Sequence, residues 1–298
     1  MRRRLTILAA AVLVYLAVAG LFVISVGGLA RGAGGPSLFA PRVAIVALEG
    51  IIVDVDEVVR ELKSHRDNPG VRAVVLRINS PGGVVAPTQE LHDAVLRLRQ
   101  AGKPVVASLG AVAASGGYYV AVACDQVYAN PGTLTGSIGV VMQLANFEQL
   151  MKKVGVDYVV VKAGQFKDLG NVSRSMTADE RRVMQALLDD VHAQFIGAVA
   201  TGRKLPREEV LRFADGRIFS GAQARELKMV DVLGGQEEAV LAAAKLAGLP
   251  LPPQVIQPRR RFSIMDFLRN QFGATTAGVL LTATPTLPAF KTPLYLMD

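Results

Sequence analysis

From Val43 onward, short apolar runs of β type alternate with amphipathic helical runs, and that alternation leaves few folds open. VAIVALEG (43–50), VRAVVLRI (71–78), PVVASL (104–109) and VDYVVVKA (156–163) read as buried strands. Between them Asp54 to Asp67 reads as an amphipathic helix, and Pro87 opens the helix PTQELHDAVLRLRQAG, which Gly102 stops. This β-α-β order predicts an α/β fold, a parallel sheet covered by helices. Thr177 and Glu180 have capping-box spacing and start a helix running to about Gly197. Past Gly248 the composition changes. LPLPPQVIQP reads as a proline-rich linker or extended arm, and Ala274 to Phe290, apolar but broken by Pro285 and Pro288, as a packed or loosely ordered tail.

The 298 residues suffice for one large domain or two small ones. Of the net charge of +8, Arg2–Arg4 and Arg259–Arg261 supply six, and both clusters flank apolar segments. A nucleic-acid-binding domain would spread its basic residues along a face and interleave aromatics, so nucleic acid is not expected as a partner. Clustered arginines beside apolar runs suit a membrane surface better. The single cysteine, Cys124, excludes an internal disulfide and multi-cysteine metal sites, and reads as a buried small hydrophobe. His65, His92 and His192 fall in charged helical stretches without metal-ligand spacing and read as helix-surface residues.

Leu5 to Ala30 is uncharged and follows MRRR. A spanning helix needs about 20 apolar residues and a signal-peptide core only about 7–15, so residues 1–30 read as a retained transmembrane anchor. Cleavage after Ala30 is the alternative, because Gly28 and Ala30 are small enough for a processing site. Either way the arginines stay in the cytoplasm and the rest of the chain faces outward. Residues 31–42, containing RGAGGP, read as a tether, 43–248 as the folded domain and 249–298 as a proline-rich tail.

Two stretches could carry chemistry. VVLRI ends in NSPGG (79–83), where a Gly-Gly pair lets a substrate approach the chain and frees amides to hold an oxyanion; a plain turn is the bland reading. VVASL leads into AASGGYYVA (113–121), where Ser115 is either a helix cap or a nucleophile exposed at a strand end. If both strand ends face one edge of a parallel sheet, they form a crevice with Ser115 beside the Gly82–Gly83 amides. With the histidines unconvincing, a serine nucleophile would need a lysine base. A free lysine, pKa about 10.4, is neutral only about once in 2,500 molecules at pH 7, so such a base must be buried away from carboxylates. Lys167 in AGQFKDLG has Phe166 and Leu169 beside it but also Asp168, and composition does not choose it over Lys162.

SPGG, ASGGYYVA, TGSIGV (135–140) and FKD (166–168) followed by SRSMTADER, in this order, resemble the signal peptide peptidase A family of membrane-anchored serine proteases, over roughly Val43 to Gly248. The resemblance implies Ser115 as nucleophile, Lys167 as general base, Ser137 as the hydroxyl that assists the lysine, and the amides of Gly82 and Gly116 as oxyanion hole. It also implies the crotonase and Clp-protease type of fold, no metal or organic cofactor, and remnant signal peptides and other small or unfolded peptides as substrates. The catalytic domain would lie outside the cytoplasm on the inner membrane, in a homo-oligomeric ring whose dyad is shared between neighbouring chains. FSGAQARELKMVD (219–231) resembles the family's C-terminal region. The rival readings are a crotonase-type enzyme acting on acyl-CoA and a catalytically inactive membrane scaffold.

Overall fold

The computed structural model describes residues 13–21, 41–258 and 294–295, and divides into two units, residues 1–40 and 41–298. In the first, residues 13–21 are helical (α1). The flanking parts of the expected anchor, 5–12 and 22–30, lie outside the described residues, as do most of the tether and the stretch Ala274–Phe290. Among the described residues no helix is long and apolar enough to cross a membrane.

The second unit begins with β1 (Arg42–Glu49), α2 (Asp56–Asp67) and β2 (Val71–Ser80). Next come a short β3 (Gly83–Val84), α3 (Val85–Gln100), β4 (Val105–Ala114), α4 (Gly116–Ala121), β5 (Gln126–Ala129) and β6 (Leu134–Gly136). After α5 (Glu148–Lys153) come the long α6 (Ala178–Arg203), α7 (Arg207–Leu211), β7 (Ile218–Ser220), α8 (Gly221–Glu226), β8 (Val232–Leu233), α9 (Gln236–Leu246) and β9 (Gln254–Ile256), with β10 (Leu294–Tyr295) last. The sheet runs β7-β6-β4-β2-β1-β9, with β5 and β8 continuing from the first half of β4. Every pairing in it is parallel except β6 with β7. The expected α/β fold with a largely parallel sheet is therefore what the chain adopts.

The strands are apolar on both faces because both faces are covered. On β1, Val43 and Ile45 point with Ala73 and Val75 of β2 toward Ala239 and Ala243 of α9. The intervening Ala44, Val46 and Leu48 join Leu62 of α2, Leu91 and Leu98 of α3, and Phe195 of α6. The period of two along each strand thus sorts residues between two helical layers. Cys124 is 2 % exposed in this core, which pushes its thiol pKa far up and leaves it inert. His92 is set deeper than a helix surface: its ring packs 5.0 Å from that of Tyr119, and burial lowers its pKa.

Three expectations change. The helix containing Pro87 starts two residues earlier, at Val85, with the proline still in the first turn, where no amide is needed. α6 passes Gly197 and stops at Arg203, because Val199 is buried and a helix carrying it keeps that face in the core. VDYVVVKA forms no strand: residues 156–163 are exposed, with Val159 at 83 % and Val161 at 96 %. Among the described residues this β-prone run pairs with no strand. The proline-rich region, in turn, contains β9, which pairs in parallel with β1.

Candidate active site

β2 and β4 are parallel neighbours with Ser80 opposite Ala113, so SPGG and ASGG emerge at the same sheet edge. Their approach is tight. A Cβ added to Gly116 would lie 3.2 Å from the Gly82 Cα and 3.2 Å from the Gly83 nitrogen, and 2.9 Å from Thr88 Oγ1. Gly82 itself has φ of 108°, a conformation that L side chains rarely adopt. The two Gly-Gly pairs expected to face one sheet edge are thus packed against each other, and both are buried.

Ser115 joins β4 to α4 with φ 51° and ψ −117°. A non-glycine residue held there costs on the order of 1–3 kcal/mol. It occupies the cap position of α4, yet its side chain makes no capping bond. The residue is wholly buried and its Oγ has no hydrogen-bond partner. An unsatisfied buried hydroxyl costs about 1–3 kcal/mol more. A capping serine would recover that cost, so the cap reading fails. Gly116 supplies the first amide of α4, which has no partner within the helix. The Gly82 amide donates to Ser80 Oγ at 3.1 Å, so Ser80, buried and not singled out by the sequence, competes for the amide expected to face an oxyanion.

Ser137 is brought alongside. The Ser115 amide donates to the Gly136 carbonyl at 2.8 Å, continuing the β4–β6 register in which Ala114 faces Gly136. Gly136 and Ser137 both have positive φ, 82° and 51°, and the Ser137 amide is tied to Arg217 O at 2.8 Å. Ser137 lines an open cleft of about 790 Å³ with Val140, Met142, Gln185, His192 and Ile218.

Lys167 is placed differently. It lies on an exposed turn begun by Gly164 (φ 98°), where its amide donates to Gly164 O at 3.2 Å, and it makes no bond to Ser115 within the chain. Its neighbour Asp168 faces elsewhere. That carboxylate accepts from Lys162 Nζ, from Arg174 Nε at 3.0 Å and from Arg174 Nη2 at 2.8 Å, and these partners hold its pKa far below the usual carboxylate range. Arg174 also binds Glu180, through Nη1 to Oε2 at 2.8 Å and through Nη2 to Oε1. Glu180 closes the capping box of α6, accepting from the Thr177 amide at 2.9 Å while its own amide donates to Thr177 Oγ1 at 3.2 Å. Arg174 and Glu180 thus clamp the turn that carries Lys167 and occupy the carboxylate beside it. SRSM and TADE hold the signal for this clamp, legible as a capping box but not as a partner for Asp168. Among the described residues no group of His, Cys, Asp or Glu side chains could hold a metal ion.

Fold and site together define an α/β protein that holds a buried serine of strained backbone and unpartnered hydroxyl where two glycine pairs meet at the edge of a parallel sheet. The model of peptidase family S49 matches residues 97–250, more than half the chain, and the chain belongs to that family. It is 49% identical over 177 residues (59% of this chain, 64% of the relative) to a protein of Synechocystis sp. that bears a provisional protease name. It is 33% identical over 216 residues to Protease 4 of Salmonella typhi, covering 70% of this chain and 35% of that one. It is 30% identical over 260 residues to the chloroplastic serine protease SPPA of Arabidopsis thaliana, covering 86% and 37%. The resemblance to the signal peptide peptidase A family is borne out. The chain spans less than two thirds of the length of each of these relatives.

Proposed function

We propose that this chain is a serine endopeptidase of the crotonase and Clp-protease type, in which Ser115 attacks a peptide carbonyl and Lys167 accepts its proton. Ser137 orients the lysine, and the amides of Gly82 and Gly116 hold the oxyanion. The amine then returns the proton to the leaving nitrogen, and water, deprotonated by the same lysine, hydrolyses the Ser115 ester. The observation that carries this reading is the Ser115 hydroxyl, buried without a partner on a strained backbone: two costs with no structural return.

The base reaches it in an assembly. Lys167 sits on an exposed turn that follows an unpaired run of valines. A second copy of the chain lying against that run would cover the valines and bury the lysine beside the neighbour's serine, supplying the desolvation that a neutral amine needs. Head-to-tail repetition of such a contact closes into a ring, which admits small or unfolded peptides and excludes folded proteins. Anchored by residues 1–30 with its catalytic domain outside the cytoplasm, the ring would degrade remnant signal peptides and other apolar peptides.

A serine-directed fluorophosphonate tests the reading: the full chain should be acylated and hydrolyse an apolar reporter peptide, and Ser115→Ala should do neither. An acyl-CoA enzyme would ignore the reagent and turn over thioesters; an inactive scaffold would show neither reaction.

A further inference from the structure

Ser80 closes β2 as a wholly buried serine, and its hydroxyl oxygen accepts from the Gly82 amide at 3.1 Å. A serine bonded to the amide two residues on is a common way to tie a turn. This turn has other fastenings. Pro81 fixes its own φ, and the Gly82 carbonyl accepts from the Ile52 amide at 2.9 Å. Gly83 is wedged so closely that an added Cβ would lie 2.0 Å from Ile52 O, and the Val84 amide donates to that same oxygen at 2.7 Å. On the other side a Cβ on Gly117 would lie 2.8 Å from Ser80 O, so the strand end is packed against the start of α4. Gly82 is thus held in place without the Ser80 hydroxyl. What the hydroxyl does is engage the single hydrogen that a backbone amide can offer.

We infer that Ser80 is a positioning residue, which withholds the Gly82 amide from a neutral substrate carbonyl and yields it to an oxyanion. The inference rests on the peptidase reading and deepens it, by saying how one amide tells the transition state from the bound substrate. A hydroxyl and a peptide carbonyl are both neutral acceptors, so exchanging Ser80 Oγ for the carbonyl of a bound peptide gains little. An oxyanion is charged, and a charge-assisted bond is about twice as strong as a neutral one. The exchange therefore becomes favourable only as charge develops on the oxygen. An interaction realised only in the transition state raises kcat, whereas one made equally to substrate lowers KM alone. Burial makes the difference count, since Ser80 and Ser115 are wholly buried and Gly82 and Gly116 are buried with them.

The test compares the full chain with Ser80→Ala and Ser80→Cys on an apolar reporter peptide, with active sites counted by fluorophosphonate titration. Ser80→Ala leaves the amide without an acceptor until substrate arrives, so neutral carbonyl and oxyanion gain alike. KM should fall about two- to tenfold, the worth of one neutral hydrogen bond. The kcat should stay within about twofold, the signature of binding made equally to substrate and transition state. Melting temperature should fall, because the amide is left buried and unpaired. Ser80→Cys fills the same space with a weak acceptor and should fall between the two, and it decides the matter if Ser80→Ala does not fold. In the Ser115→Ala background the Kd of the uncleaved reporter should drop by the same factor as KM. An unchanged or raised KM, or a kcat reduced tenfold or more, would mean that the hydroxyl only ties the turn and would overturn the inference. An active parent with that result removes the inference alone; a parent neither acylated nor active removes the peptidase reading and the inference together.

Discussion

Arg174 grips the carboxylate of Asp168 from two nitrogens, at 3.0 and 2.8 Å, and so keeps the negative charge next in sequence to Lys167 engaged elsewhere. Arg174→Met removes the two Arg174 bonds and leaves that charge to Lys162 alone. A carboxylate held less tightly disfavours a neutral amine beside it, so a rate that needs such an amine rises at higher pH. The pH–rate profile of the variant should keep its shape with its rising limb moved to more alkaline pH. An unmoved limb would mean that Asp168 does not influence the base.

The same clamp sets acid stability. Glu180 is held at a pKa of about 2, chiefly by Arg174, against about 4.3 when unfolded. Asp168 is lowered as well, by Lys162 first and Arg174 next. For depressed carboxylates the stabilisation is present above the unfolded value and is lost as pH falls through the folded one. Melting temperature should therefore drop as pH falls from about 4.5 to about 2, and Arg174→Met should flatten that slope while lowering the neutral-pH plateau. Thr177→Ala, which removes the other half of the capping box, should cost about 1 kcal/mol at neutral pH.

Much of this was legible in advance, and the exceptions share a cause. Strand and helix order, the capping box at Thr177 and the convergence of SPGG with ASGG follow from local patterns, because each is set by residues close in sequence or by the parallel sheet those patterns imply. VDYVVVKA has the composition of a buried strand but among the described residues it pairs with no strand and is exposed, and composition alone does not show whether an apolar run finds a neighbour. Ser80 and Arg174 escaped notice because their importance lies in their partners, the Gly82 amide for Ser80 and the carboxylates of Asp168 and Glu180 for Arg174.

Glycine substitutions separate the site from the scaffold. Gly116→Ala sets a methyl 2.9 Å from Thr88 Oγ1 and 3.2 Å from Gly82 Cα, displacing from each other the two amides proposed to hold the oxyanion. Loss of one such donor costs about 10²–10³ in kcat, and that loss should appear with a melting temperature within a few degrees of the parent. Gly197→Ala, in mid-helix with nothing within 4 Å, should leave kcat unchanged and stabilise by up to about 1 kcal/mol.

The exposed valines report on assembly. Val161→Asp changes a side chain that is 96 % exposed, so the fold of a single copy should be unaffected. In the proposed assembly the same change would bury an unpaired charge. Analytical ultracentrifugation should find the variant monomeric and the parent oligomeric, with peptidase activity lost in parallel. A monomeric, fully active parent would remove the reason for a shared site.

In the proposed mechanism Ser115 and Lys167 form one catalytic unit across neighbouring copies. Ser115→Ala and Lys167→Ala should each be folded and inactive alone. Co-expressed with different affinity tags and purified through both, they form mixed assemblies in which some interfaces pair an intact serine with an intact lysine. These mixed assemblies should hydrolyse the reporter peptide at a substantial fraction of the parent rate. Doubly tagged assemblies that remain as inactive as either variant alone would contradict it.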